Sequence, residues 1–346
     1  MASNLKLADR SHLKILKNLQ DLKDVTNHNR LNRVKNKSLE GLWSVCRFLL
    51  IIGITFVILY PLLMKFSVAF KAKEDIYNPT IYMIPVHVTL DNFKLALDLL
   101  DYWPLLLNTM LYVFVTMVLT TMSTALAGYG FARFQFPGSN LLFGLVVLTI
   151  LIPMSTLMVP MYLHFRNFDV LGLVQLFTGK EGVNLLNSFW PSVITSATAT
   201  GLKAGLFIYI FRQFFRGLPK EIEEAALIDG AGGIKTFFTI MLPNAIPPLI
   251  TVMLFSFVWQ YNDTFYTSLF MSESALMPLK VASLPADASQ FLPTLMGLDA
   301  SAKADPNHVA LIVDTGILLA ILPLIVLYLF VQRHFVESVE RTGVVG

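Results

Sequence analysis

Charge is scarce in this sequence. Only 14% of its 346 residues are Asp, Glu, Lys or Arg, where a soluble domain carries about 25%. Apolar residues make up 55%, and the mean hydropathy is +0.63. A chain with so few charges must expose apolar surface, and lipid is the solvent that suits it. Cysteine is almost absent. Cys46 stands alone, which excludes an intrachain disulfide framework and a Cys-based metal site. The six His residues are scattered, without the H-x₃-H type of spacing a metal ion requires. The segment Gly179-Lys180-Glu181-Gly182 is not a phosphate-binding loop. No G-x-S-x-G elbow or H-E-x-x-H pair is present either. The chain is therefore expected to be no enzyme and to bind no metal or cofactor of its own. A net charge of +3 is too small to argue for nucleic acid. The first 40 residues are polar, with no apolar stretch after a short basic start, so no cleavable signal peptide is expected.

What is present is a set of long apolar runs. A spanning helix needs about 20 mostly apolar residues, and six candidates meet that: 48–64 extended to 70, 105–131, 141–163, 190–215, 245–270 and 308–331. Runs of this length exclude a β-barrel, whose strands alternate over roughly ten residues. The fourth is the weakest, because Ser and Thr are frequent and Lys203 lies inside it. The expected fold is an all-α integral membrane protein with six transmembrane helices. With the N-terminus cytoplasmic, 17 of the 26 Lys and Arg fall inside and eight outside, with Lys203 in the membrane. That excess favours both termini inside, although it rests on the basic N-terminal extension, without which the two sides are nearly even. The expected organisation is a basic cytoplasmic extension over 1–42, a first span over 43–70, an external loop over 71–104, a transmembrane domain over 105–335 and a cytoplasmic tail over 336–346. A second external loop covers 272–307. Leu13, Ile15, Leu16, Leu19 and Leu22 fit one helical face, either an amphipathic helix on the inner leaflet or a loosely ordered basic tail. Trp43, Trp103 and Trp190 fall near span ends, where indoles anchor at the lipid interface.

Between the fourth and fifth runs lies a cytoplasmic loop, 217–243, that reads as helix, turn and short helix. Pro219 suits a first helical turn. Glu221, Glu223 and Glu224 complement the dipole at a helix N-terminus. Ala225 and Ala226 permit close approach by a partner, and Asp229-Gly230 is a stop signal. Residues 234–241 are expected to form the second helix, closed by Leu242-Pro243. On these residues alone, a structured loop without a partner is equally consistent.

The spacing Glu224-Ala225-Ala226, three residues, Gly230, nine residues, Ile240-x-Leu242-Pro243 resembles the "EAA" loop of binding-protein-dependent ABC importer permeases. The stretch Ala127-Gly128-Tyr129-Gly130-Phe131-Ala132-Arg133-Phe134-Gln135-Phe136-Pro137-Gly138 resembles the carbohydrate-uptake branch of that family. So do Val159-Pro160-Met161-Tyr162, Leu171-Gly172-Leu173 and Phe211-Arg212-Gln213-Phe214-Phe215. The ending Gln332-Arg333-His334-Phe335, followed by Gly343-Val344-Val345-Gly346, is similar to the tail of the smaller membrane subunit of maltose-type permeases. It departs from that pattern at Glu337-Ser338-Val339-Glu340-Arg341. The resemblance runs from about Asn108 to the C-terminus and implies the type I ABC importer permease fold. It implies that the loop is a coupling helix seated in a cleft of a cytoplasmic ATPase dimer, which binds the ATP and magnesium. Glu224 would make polar contact there, Ala225 and Ala226 would pack in the cleft, and Gly230 would make the turn. The implied partners are that ATPase, a second permease subunit, an extracytoplasmic solute-binding protein, and a carbohydrate as the transported molecule, with glycerol phosphate as an alternative cargo.

Ionisable residues in a span are costly and mark cavities or partner helices. Lys203, Asp263 and Asp314 qualify. Trp259, Gln260, Tyr261, Asn262 and Asp263 together offer an aromatic face and hydroxyl-binding groups suited to a sugar. The same residues also suit locking one span against its neighbours or facing a second permease. Lys203 could pair with Asp314 or Asp263. A secondary transporter is the rival class; it predicts two related halves, and no internal repeat is visible.

Overall fold

The computed structural model describes residues 40–343 except 79, 82, 171, 180, 181, 300 and 301, and for 178 and 333–343 the backbone alone. The amphipathic stretch 13–22, Lys180 and the terminal 344–346 therefore lie outside the described residues. The chain divides into two units, 1–64 and 65–346. Helix α1 is Glu40–Ala69, and none of its residues in the first unit is buried.

Among the described residues of the second unit the regular structure is helical, with two isolated bridges, Lys71 with Val88 and Phe168 with Val183. The elements are α2 (Lys73–Ile76), α3 (Asp91–Leu100), α4 (Tyr102–Arg133), α5 (Ser139–Leu151), α6 (Met154–Arg166), α7 (Leu173–Thr178), α8 (Trp190–Ala197) and α9 (Ala204–Gly217). Then follow α10 (Glu221–Ile228), α11 (Gly233–Thr236), a π-wound stretch Phe237–Met241, α12 (Leu242–Asn244), α13 (Ile246–Tyr261), α14 (Phe265–Phe270), α15 (Met277–Leu295) and α16 (Pro306–Gly343).

Among the described residues, three helices are long and apolar enough to cross a membrane: α1, α4 and the 306–332 part of α16. Two bent pairs raise that to five if each is one span. These are α5 with α6, bent by 105°, and the α11–α12 segment with α13, bent by 83°. The first break falls at Ile152-Pro153, where Ile152 is extended, as a residue before proline prefers. The expected span 190–215 is instead two helices. Ala199 and Lys203 both take positive φ between them, and a turn replaces one helical segment. The segment 336–343 continues α16 as helix. The segments expected as loops, 71–104 and 272–307, are more structured than loops: α3 and the 19-residue α15, with Pro285 and Pro293 inside it, pack on α16.

Helix α4 organises the second unit. Its 32 residues extend about 48 Å at 1.5 Å per residue, and a different core forms at each end. One core joins Leu100, Leu105, Tyr112, Phe270, Leu284 and Leu311, from α3, α4, α14, α15 and α16. The other joins Ala125 and Tyr129 of α4 to Phe207, Phe211 and Phe215 of α9, and to Phe237, Met241 and Val252. Along α4 runs a buried threonine stripe. Thr109, Thr116 and Thr124 donate to the carbonyls four residues back, at 2.7, 2.7 and 2.6 Å. That satisfies each hydroxyl within its own helix and leaves a small, smooth face for neighbours. Gly128 brings α9 into contact, for a Cβ there would lie 2.5 Å from the Phe211 Cβ.

Candidate functional site

The 217–243 loop folds into α10, a turn and α11, with helix continuing through Asn244. Helix α10 opens at Glu221, two residues after Pro219, with Glu221, Glu223 and Glu224 in its first turn. Gly230 has φ +79°, a left-handed conformation that glycine adopts without strain. The second helix is not the regular 234–241 segment expected from sequence. It opens at Gly233, relaxes into the π-wound stretch and continues through Leu242 and Pro243 to Asn244. Pro243 sits in the first turn of α12, where it needs no N–H partner, so it does not end the helix. The break comes at Ala245.

Helix α10 has two unlike faces. Glu221, Glu224, Ala225 and Ile228 follow the i, i+3, i+4, i+7 spacing of one stripe, and all are exposed. Ile228 is 86% exposed, and Ile234 beyond the turn is 76% exposed. Asp229, Gly230 and Pro243 are exposed, and Leu242 is half-buried. Ala226 faces the other way and is buried with Ala231.

On that inner face a buried polar cluster joins α10 to the end of α4. The Tyr129 hydroxyl donates to Glu223 Oε1 at 2.6 Å. The Arg133 Nε lies 3.3 Å from Glu223 Oε2, and Arg133 Nη2 donates to the Leu218 carbonyl at 2.9 Å. The Arg133 and Glu223 side chains are only 5% and 16% exposed. Beside them Arg212 donates from Nε to the Phe131 carbonyl at 3.2 Å, with its guanidinium carbon 3.7 Å from the Phe143 ring centre. From sequence, Glu223 was legible only as an acid at a helix N-terminus and Arg133 only as a cytoplasmic charge. No spacing rule links residues some 90 positions apart.

The membrane polar residues scatter. Gln260 and Asp263 reach a cavity of about 20 Å³, room for about one water. Tyr112, Ser192, Thr195 and Ser196 also line it. Gln260 Nε2 donates to Ser256 Oγ at 2.7 Å. The Asp263 carboxylate accepts from the amides of Phe265 and Tyr266 at 3.2 and 3.3 Å, capping α14. Tyr261 turns away and donates to the Ala320 carbonyl at 2.7 Å. Asn262 is exposed and bonds its own helix at Val258. Trp259 stacks on Phe207 and Phe255. Lys203 lies 5.9 Å from the Trp259 ring centre and pairs with neither carboxylate. Asp314 is bonded by Lys65 instead. The end of α1 brings an ammonium to α16, whereas Lys203 sits on the α8–α9 turn.

The family described as binding-protein-dependent transport system inner membrane component matches residues 124–341. A probable ABC transporter permease protein of Pyrococcus horikoshii is 29% identical over 296 residues, covering 83% of this chain and 92% of that protein. The arabinooligosaccharides transport system permease protein AraQ of Halalkalibacterium halodurans is 27% identical over 308 residues, covering 87% and 98%. Among solved structures, a bacterial ABC transporter involved in the import of the acidic polysaccharide alginate aligns with a TM-score of 0.66 at 19% identity. The alignment covers 85% of this chain and 96% of that one, and it shows a shared fold.

Proposed function

The chain belongs to the family of binding-protein-dependent transport system inner membrane components, and from that membership we propose that it is a carbohydrate-importing permease subunit coupled to an ATPase through α10. The observation that carries the coupling is the outward stripe Glu221, Glu224, Ala225 and Ile228, continued by Ile234. A mostly apolar face with acids along it, on a helix whose opposite face is buried, is built to be covered by another protein. The ATPase dimer binds ATP and magnesium. Glu224 meets it, Ala225 and Ile228 enter its cleft, and Ala226 sets the spacing of α10 from its own chain. Gly230 and Asp229 make the turn, and Leu242 and Pro243 carry the segment into α13.

In this reading the helices make six spans with both termini cytoplasmic, the α8–α9 pair being one broken span. A second permease subunit and an external solute-binding protein complete the importer. Helix α5 has no fully buried residue and meets α9 along one side, through Phe143 and Thr149, so its other faces are left for lipid or the second permease. The sugar passes between the two permeases, because the cavity of about 20 Å³ beside Gln260 and Asp263 cannot hold one. Gln260 and Asp263 are this chain's contribution to that path. Trp259, Asn262 and Lys203 flank it, and Tyr261 and Asp314 hold the helices that frame it. Carbohydrate is preferred as cargo because oligosaccharide transport is the role named for AraQ.

The test is Glu224→Lys. The variant should insert in the membrane at wild-type level while losing the ATPase on co-purification and losing uptake. Unchanged uptake would sink the coupling assignment. Uptake of labelled arabinooligosaccharide or maltodextrin against glycerol phosphate, in vesicles with the neighbouring genes supplying the partners, decides the cargo.

A further inference from the structure

We propose that Glu223, held by Tyr129 and Arg133, is a positioning residue that locks α10 to the end of α4, so that displacement of the docking stripe is delivered into α4. This rests on the coupling role of α10 given above. Helix α10 has eight residues, well short of the roughly 12–15 needed for an isolated helix to hold in water. Its flanks do not orient it. Pro219 precedes it, and Gly230, Gly232 and Gly233 follow within a few residues. Its apolar anchorage is small, with Ala226 its one fully buried side chain. The polar cluster supplies what the apolar surface lacks. Glu223 accepts a short hydrogen bond from Tyr129 and faces the Arg133 guanidinium, and Arg133 also holds the Leu218 carbonyl before α10. Two side chains of one helix thus grip both the linker and the first turn of α10.

The Arg133 Nε is buried with no hydrogen bond, although it lies close to the Glu223 carboxylate. Removing that carboxylate would leave a buried charge uncompensated, the costly way to break such a pair. Directional pairs of this kind set register better than apolar contact does, because a shift of one ångström or so loses them.

The recipient is suited to transmission. Tyr129 and Arg133 sit at the end of an unbroken helix, and Tyr112 on the same helix lines the polar cavity. The 17 residues from Tyr112 to Tyr129 correspond to about 26 Å of rigid helix. Gly128 lies against the Phe211 Cβ and the backbone of Ile208 and Arg212, which holds that helix against α9, so α10, α4 and α9 meet at one point. The stripe that meets the ATPase and the residues that grip α4 alternate on one short helix. Glu221, Glu224, Ala225 and Ile228 face out; Glu223 and Ala226 face in. Docking and transmission can therefore be separated by mutation.

The experiment uses the full chain, co-expressed with the second permease and the ATPase of its neighbouring reading frames. These are reconstituted in liposomes with the solute-binding protein. The readouts are ATPase recovered per permease, and solute moved per ATP hydrolysed. Glu223→Gln should retain the ATPase within about twofold of wild type, while solute per ATP falls about ten-fold, a size known for residues along coupling networks. Tyr129→Phe removes one contact and leaves the ion pair, so it should lower the same ratio by a smaller factor. Glu223→Asp, which keeps the charge, should fall between wild type and Glu223→Gln. An unchanged ratio in both Glu223→Gln and Tyr129→Phe would overturn the lock. So would loss of the ATPase from Glu223→Gln, which would place Glu223 in docking or folding. A wild-type chain that captures no ATPase would overturn the coupling role itself, and the lock with it; that failure shows before any variant is made.

Discussion

Gly128→Ala adds one methyl group where α4 crosses α9. Its Cβ would sit 2.5 Å from the Phe211 Cβ, 3.0 Å from the Arg212 nitrogen and 3.1 Å from the Ile208 carbonyl oxygen. Two of those three neighbours are backbone atoms, so no rotamer change can relieve the clash and the helices must separate. Overpacking of this kind costs about 1–3 kcal/mol, and backbone neighbours place it near the top of that range. Against this, alanine gains up to about 1 kcal/mol over glycine in helix propensity. The net is a loss of about 2 kcal/mol, up to roughly 30-fold in the folded-to-unfolded ratio. Gly144 of α5 is the control, because a Cβ there meets nothing within 4 Å. Gly144→Ala keeps the propensity gain without the clash and should be neutral or slightly stabilising. The assay is unfolding of the purified chain in mixed micelles by increasing SDS, followed by tryptophan fluorescence. If Gly128→Ala unfolds at or above the wild-type midpoint, close contact of α4 with α9 is not what places glycine there.

Other perturbations separate structural from functional roles. Asp263→Asn keeps an acceptor for the Phe265 and Tyr266 amides and should hold near wild-type stability, while Asp263→Ala should cost about 1 kcal/mol, as for a lost helix cap; equal losses in the two, by the same SDS titration, would refute the capping role. A double-mutant cycle with Lys65→Met and Asp314→Asn should give a coupling of roughly 0.5–1 kcal/mol, since the pair is partly exposed. Lys203→Met with Asp314→Asn should be additive, and coupling in that cycle would contradict the observed pairing. In the segment 71–104, Asp75 accepts from the amides of Val86 and His87, each at 2.8 Å, and from the His87 ring Nδ1 at 2.7 Å. Burial pushes its carboxyl up, but the bonds from the His87 ring and the two amides outweigh burial and hold it below the usual carboxylate range. A carboxyl with a lowered folded pKa contributes stability above its unfolded value, near 3.9, and loses it as pH falls through the folded value. Amide protection over 86–92 should therefore be steady from about pH 7 to 5 and decline below about 4, and Asp75→Asn should remove that decline. An identical pH profile in the variant would assign the effect elsewhere.

Much of the architecture was legible because lipid imposes simple rules. Continuous apolar runs marked α1, α4 and α16, and the Pro137-Gly138 turn between α4 and α5 was readable from residue type. The breaks were less legible. The run 190–215 passes for one span on composition, yet the backbone turns at Ala199 and Lys203, neither of which is a glycine or proline signal. The 272–307 segment read as a loop because it is polar and lies between two apolar runs. It is nevertheless largely the helix α15, held by Leu284 and Ala288 packing on its neighbours. The motif Glu224–Pro243 could be found because its information lies in local spacing.

The sequence by itself determined the class of protein, the apolar segments and the helix–turn–helix loop over 217–243, since composition and short-range periodicity act through local physics. It also supplied the polar residues within the apolar runs as a group. Only the tertiary structure decided how they divide: Gln260 and Asp263 toward a cavity, Tyr261 toward Ala320, Lys203 toward Trp259, and Asp314 toward Lys65. It decided too that Glu223 turns inward to Tyr129 and Arg133 while Glu224 stays exposed. The reason is common to both. A side chain's partner is set by which helix packs beside it, and that depends on contacts such as Gly128 against Phe211, which join residues far apart in the chain and follow no spacing.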